Sequence, residues 1–261
     1  MGSTALTWAA RRRHEAVAKI LLGRVGANPD KADTQYGQTP LSWAPECGDE
    51  GMVNILLQRE DVNPDQADTR PGQTPLSWAA KCGHEGIVKI ILQREQVNPN
   101  TVENIYGGTP LSWAASRGKT GVVKLLLERE DISPDQADTK SGRTPLSWAA
   151  EWGHEGVVKA LLQRDDVSPN MVENKYGCAP LSWAVWRGQT GVVKILLERE
   201  DVIIDHADTK HGRTPLSWAA EFGHEAIVRM FLECEDVNPD RADTKDGRTP
   251  LLWAAEKGRE G

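Results

Sequence analysis

The sequence predicts an all-α solenoid, a one-dimensional stack of helix-turn-helix units, and three observations lead to it. Tryptophans at 8, 43, 78, 113, 148, 183, 218 and 253 lie on one ruler of 35 residues with no insertion or deletion. A fixed period of this size is the signature of stacked supersecondary units. A Thr-Pro-Leu helix start precedes most of these tryptophans, and a second apolar stripe follows a glycine a few residues later. Seven full units and a terminal helix are therefore expected, as a single array over residues 4–258.

The unit beginning at Ala137 justifies each element in turn. Thr144 suits the N-cap and Pro145 the first helical position, where a missing N–H costs nothing, so the first helix runs through Leu146 to Ala150. Gly153 ends it, since glycine accepts the left-handed geometry of a C-cap. A second helix begins near His154-Glu155. In it Val158, Leu161 and Leu162 form one stripe, with Lys159, Gln163 and Arg164 on the polar side. Asp166-Val167-Ser168-Pro169-Asn170 breaks that helix, and the segment up to Tyr176-Gly177 reads as an extended turn with Gly177 at its tip.

Composition limits the function classes. The chain has 261 residues, 26% of them charged, and a formal charge of −7, so it offers no global attraction to nucleic acid or anionic membrane. No apolar stretch approaches the length of a membrane-spanning helix. Met1-Gly2-Ser3 lacks an apolar leader core and reads as a short added tail. Cys47, Cys82, Cys178 and Cys234 form no Cys-x-x-Cys pair. Cys47 and Cys82 occupy equivalent slots, which stacked helices would hold about 8–10 Å apart, too far for a disulfide. Free thiols and a cytoplasmic location are expected.

The combination Thr-Pro-Leu-x-x-Ala-Ala with Gly-His-Glu-x-Val-Val-Lys-x-Leu-Leu resembles the ankyrin repeat, from Thr4 to Gly258. Two departures stand out. The family usually has His after Thr-Pro-Leu, but Ser42, Ser77, Ser112, Ser147, Ser182 and Ser217 stand there, so the inter-loop hydrogen bonds that His makes are not expected. The unit also exceeds the usual length of about 33 residues by two, between Leu-Leu and Thr-Pro. Residues 102–131 match 172–201 at 23 of 30 positions but 137–166 at only 17, so the duplicated block is two repeats long. Such arrays resemble the C-terminal ankyrin arrays of fungal NACHT-type, NLR-like receptors, and the chain reads as an excised fragment of something longer.

Function should lie in columns that vary. The hairpin-tip column is Tyr36, Pro71, Tyr106, Ser141, Tyr176, His211 and Asp246, and the column two residues on includes Arg143, Cys178 and Arg213. The end of the first helix carries Arg117, Trp152, Arg187 and Phe222, with Trp186 one place earlier. The resemblance implies that these columns line a concave groove. Trp152, Trp186 and Phe222 are the expected anchors for a protein or peptide ligand, supported by Arg117, Arg187, Tyr106, Tyr176, Arg143, Arg213 and His211. The periodic tryptophans are expected to be structural.

Catalysis is not expected. His84, His154 and His224 recur in one slot without a His-Glu-x-x-His spacing, which suggests local hydrogen bonding. Ser147 and its equivalents lack a nucleophile elbow. Lys140/Arg143, Lys210/Arg213 and Lys245/Arg248 could bind phosphate or an acidic peptide, but beside Asp138, Asp208 and Asp243 they read first as a solvated mixed surface. No cofactor, metal, membrane or nucleic-acid partner is expected, and the fragment should be a monomer. The leading function is a non-catalytic protein-protein interaction module, and the resemblance implies the ligand-sensing array of an NLR-like receptor. The alternative is an architectural spacer or self-association scaffold.

Overall fold

The structure, a computed structural model, describes residues 4–24, 26–69 and 72–258. The three-residue tail Met1-Gly2-Ser3 and the tip residue Pro71 lie outside them. Among the described residues there are fifteen helices and no strand. They divide into two compact units, residues 1–133 and 134–261. The first holds α1 (Ala5–Arg11), α2 (Glu15–Leu22), α3 (Pro40–Cys47), α4 (Glu50–Leu57), α5 (Pro75–Cys82), α6 (Glu85–Leu92), α7 (Pro110–Ser116) and α8 (Thr120–Leu127). The second holds α9 (Pro145–Glu151), α10 (Glu155–Leu162), α11 (Pro180–Trp186), α12 (Thr190–Leu197), α13 (Pro215–Phe222), α14 (Glu225–Leu232) and α15 (Pro250–Glu256).

The first helices start where the sequence places them. Seven of the eight have a threonine N-cap whose hydroxyl accepts the N–H three residues on, as Thr144 does from Ser147 at 3.2 Å. The eighth, α11, begins at Ala179 and has no side-chain cap. Gly153 follows the C-cap of α9 with φ 74°, the left-handed geometry that a side chain would strain. Val158 and Leu161 are fully buried, with Leu162 8% exposed, so the stripe read from the sequence is the packed face of α10.

In each unit the helices form two layers, first helices against first helices (α3 on α5, α9 on α11, α11 on α13) and second helices against second helices (α4 on α6, α10 on α12). Four devices join successive repeats. A Cβ at Gly191 would lie 1.8 Å from the Glu155 carboxylate of the preceding repeat, so glycine there makes room for that side chain. Arg59 and Arg199 donate to the last-turn carbonyls of Leu22 and Leu162, at 2.7 and 2.9 Å, and each also grips Asp61 or Asp201. In five connections an aspartate or asparagine, Asp30, Asp65, Asn100, Asp135 or Asn170, accepts an N–H of the next, as Asp135 does from Ser168 at 2.7 Å. The fourth is a hydroxyl-to-carbonyl bond between tips, Thr209 to Tyr176 at 3.1 Å.

These contacts answer the missing histidine. Ser42 turns inward onto its own cap, 3.1 Å from the Thr39 hydroxyl, and neighbouring loops are joined through Thr69, Thr209 and Thr244 instead. The longer connection between Leu-Leu and Thr-Pro carries the Arg-x-Asp segment, whose arginine caps the second helix of the preceding repeat. His84 and His224 differ from the expectation of local bonding: neither side chain caps its helix, and each ring instead sits under the glycine that ends a first helix of the preceding repeat, the C-cap Gly48 or Gly188 just after the C-cap Arg187.

Candidate functional site

Each hairpin tip is built around one buried acid ten residues before the periodic tryptophan. Asp138 is 5% exposed, takes the Lys140 and Ser141 N–H groups, and accepts the Trp148 indole N–H at 3.1 Å. Asp208 and Asp243 repeat this with Trp218 and Trp253 at 3.2 and 2.8 Å. Burial pushes the Asp33 carboxyl up, but the Tyr36 N–H, the Trp43 indole and the Gln35 and Gln38 N–H groups outweigh it and hold the pKa below its ordinary value. The solvated mixed surface expected around Asp138, Asp208 and Asp243 is thus corrected: these acids are buried because backbone and indole N–H groups replace their water.

Two repeats depart from this tip. Glu103 and Glu173 replace the aspartate, and they accept the Tyr106 and Tyr176 N–H groups, while the Trp113 and Trp183 indole nitrogens have no hydrogen-bond partner. The longer side chain satisfies the turn and misses the ring. These are the same repeats that match two units apart in sequence.

Cations then fill the spaces between successive tryptophans. The Arg143 guanidinium lies 4.7 Å from the Trp148 ring and 3.6 Å from Trp183, and Arg213 bridges Trp218 and Trp253 at 4.6 and 3.6 Å. Lys81 takes the same place between Trp78 and Trp113, at 4.9 and 4.5 Å. Burial there, with help from the Arg117 charge, lowers its pKa. Arg143 also pairs with Glu151, and Arg213 with Glu221 at 2.6 Å. Arg213 is only 8% exposed. Both arginines, expected on the partner face, are therefore committed inside the stack, where each contributes cation–π attraction of about 1–2 kcal/mol.

Three exposed aromatic residues lie together at the C-terminal ends of α9, α11 and α13. Trp152, Trp186 and Phe222 are 49%, 36% and 36% exposed. The Arg187 guanidinium lies 5.2 Å from the Trp152 ring and 4.5 Å from Trp186. Trp186 stands edge-on to Phe222 at 6.2 Å, and Phe222 stacks on Trp218 at 5.9 Å. Beneath them Glu151, 3% exposed, joins Arg143 to Arg187, which it meets at 2.8 Å. The result is a rigid strip of aromatic surface with its central arginine already oriented.

The remaining expected residues lie around this strip or apart from it. Tyr176 packs edge-on against Trp183 at 6.1 Å, and His211 against Trp218 at 5.9 Å, so both extend the surface toward the tips. Tyr106, 51% exposed, and Arg117, the exposed C-cap of α7, lie in residues 1–133. Glu151 was not among the residues expected at the site. Its spacing from Arg143 and Arg187, eight residues back and one repeat forward, was the signal that could have found it.

The four cysteines are free thiols, and burial pushes the Cys178 thiol up to about 12, leaving it a weak nucleophile. Among the described residues no three His, Cys, Asp or Glu side chains converge to hold a metal, and no helix is long and apolar enough to cross a membrane. The surface can adhere, through aromatic faces, edges and an oriented cation, but its groups show no nucleophile-base pairing.

Comparison with known proteins agrees with this architecture. No curated protein matches the chain. The family profile described as ankyrin repeats (3 copies) matches residues 1–68, 60–138, 91–173, 131–208 and 201–261, and so the chain belongs to the ankyrin repeat family.

Proposed function

We propose that this chain is a non-catalytic binding array that holds a protein or peptide against the aromatic ends of α9, α11 and α13. Repeats of this family form protein-protein interaction modules. The observation that carries the reading is the contrast between frame and strip. The tip acids and Arg213 are buried and held by hydrogen bonds or ion pairs, and Arg143 is ion-paired between two tryptophans, whereas Trp152, Trp186 and Phe222 keep a third to a half of their surface in water. Large aromatics held rigid in this way lose little entropy on binding and resemble the residues that dominate interface energetics. On the concave face implied by the family, Arg187, Tyr176 and His211 would contact the same partner, and Tyr106 and Arg117 are the candidate contacts of the first unit.

The larger setting we propose is the ligand-sensing array of an NLR-like signalling receptor in the cytoplasm. Its support is the 23-of-30 match two repeats apart, since a repeated frame lets surface columns change without disturbing the fold.

A random peptide library displayed on phage and selected on the purified chain tests the binding reading. Enriched peptides should lose about tenfold or more in affinity on Trp186→Ala or Trp152→Ala, the loss expected for an interface anchor. Enriched peptides indifferent to both substitutions would refute it. If the chain enriches none and sediments as a concentration-dependent assembly, the self-association scaffold replaces it.

A further inference from the structure

The second unit carries a row of lysines, Lys175, Lys210 and Lys245, that occupy one slot of successive hairpin tips, and all three are exposed. The same slot among the described residues of the first unit holds Gln35 and Ile105. The tip acids Glu173, Asp208 and Asp243 do not neutralise the row at its surface, being 2–4% exposed and turned onto backbone N–H groups, while Asp246 beside Lys245 is an exposed acid. Among the described residues, no carboxylate comes within 4.0 Å of the Lys175, Lys210 or Lys245 ammonium. Lys175 and Lys210 instead flank the Tyr176 ring at 4.9 and 4.8 Å. That ring leads through Trp183 to Trp186, with centroids 6.1 and 5.7 Å apart. The buried Trp183 ring thus links the Tyr176 end of the cationic row to the aromatic strip.

We infer that this surface takes an extended acidic segment of a partner protein, with carboxylates along the lysine row and one apolar side chain on Trp186 and Phe222. The inference rests on the binding reading above and names the chemistry of its partner. Spacing sets the pattern. Stacked helices lie about 8–10 Å apart, and an extended chain advances about 3.3 Å per residue. A carboxylate at roughly every third position would therefore meet successive lysines. Unpaired cations on an otherwise acidic chain also favour such a segment electrostatically, raising the rate of encounter and selecting against basic partners.

A single-stranded nucleic acid is the competing polyanion, and the geometry disfavours it. Base stacking needs successive open ring faces. Here Trp186 is held edge-on between Trp183 and Phe222, with interplanar angles of 88° and 81°, and Arg187 lies over the Trp152 and Trp186 rings.

The same phage selection, scored for sequence, provides the test. Enriched peptides should be acidic, with Asp or Glu recurring at about three-residue spacing and one aromatic or aliphatic residue. Their affinity should weaken with added salt and fall about tenfold in the double variant Lys175→Glu/Lys210→Glu, or about half as far on a logarithmic scale in Lys175→Gln/Lys210→Gln. Both lysines are exposed, so circular dichroism should show an unchanged fold. Neutral or basic enriched peptides, or acidic ones unaffected by the charge reversal, overturn the inference. In that case sensitivity to Trp186→Ala would leave the binding reading standing, while insensitivity to every variant would remove both. An oligothymidylate of twelve nucleotides or phosphatidylserine vesicles binding more tightly than the selected peptides would also overturn it.

Discussion

At the residue scale, the same slot can be filled well or badly, and the repeats provide their own comparison. Asp30, Asp65 and Asp135 each accept one N–H from the following connection, yet their other carboxylate oxygen is buried without a partner. Burial raises their pKa above the ordinary 3.8. Asn100 and Asn170 accept the same kind of N–H and also donate to the Asp131 and Asp201 carbonyls at 2.7 Å. Asp135→Asn should therefore stabilise the chain by about 1 kcal/mol at pH 7, replacing an orphaned acceptor by a satisfied donor. A carboxyl with a raised folded pKa is disfavoured when ionised, so the advantage should shrink as pH falls toward 4. Urea unfolding of both proteins at pH 7 and pH 4 checks this; an Asn variant less stable at pH 7 would contradict it.

At the scale of the element, one helix start lacks what the other first helices have. α11 begins at Ala179, after Cys178, and only its proline helps to start it. The backbone of Ala179, φ −79° and ψ 166°, closely matches that of Thr144, φ −77° and ψ 163°, so a threonine would find its cap geometry already set. Ala179→Thr should add about 1 kcal/mol and raise the melting temperature by a few degrees. Calorimetry reads it directly, and an unchanged or lower Tm would mean that the hydroxyl fails to reach the Ser182 N–H. The helices themselves were legible in sequence, since Thr-Pro, glycine stops and apolar stripes act within one unit. What the acids and arginines do was not. Hydropathy assigns Asp138 and Arg213 to the surface, but their neighbours include groups from the tip and, for Arg213, from the following repeat's Trp253.

At the scale of the whole molecule, stability in each unit is carried by devices repeated from one neighbour to the next, so a weak change at one slot is multiplied. Hydrogen bonds from Arg59, Arg129, Arg164 and Arg199 hold Asp61, Asp131, Asp166 and Asp201 below the usual carboxylate range. Asp33 and Asp243 are lowered by their tip and indole bonds despite burial. Groups lowered in this way contribute stability above the unfolded pKa and lose it as pH falls through the folded one. The three raised aspartates act oppositely, relieving their cost on acidification, but they are outnumbered. The urea midpoint should therefore decline below about pH 4, and a midpoint flat or rising from pH 4 to pH 2.5 would show that these clamps are not carrying stability.

The sequence by itself determined the period, the helix pairs, the caps and the family, because each depends on residues within one unit and the ruler copies them without a shift. It also marked Trp152 and Trp186 as tryptophans off the ruler. Only the tertiary structure decided which charges are spent inside and which remain outside. Arg143 and Arg213 lie between tryptophan rings contributed by two successive repeats, Glu151 binds arginines from two repeats, and Arg187 is oriented over two exposed rings. Whether a charged side chain is desolvated depends on what the next unit places against it, and that juxtaposition exists only once the units are stacked.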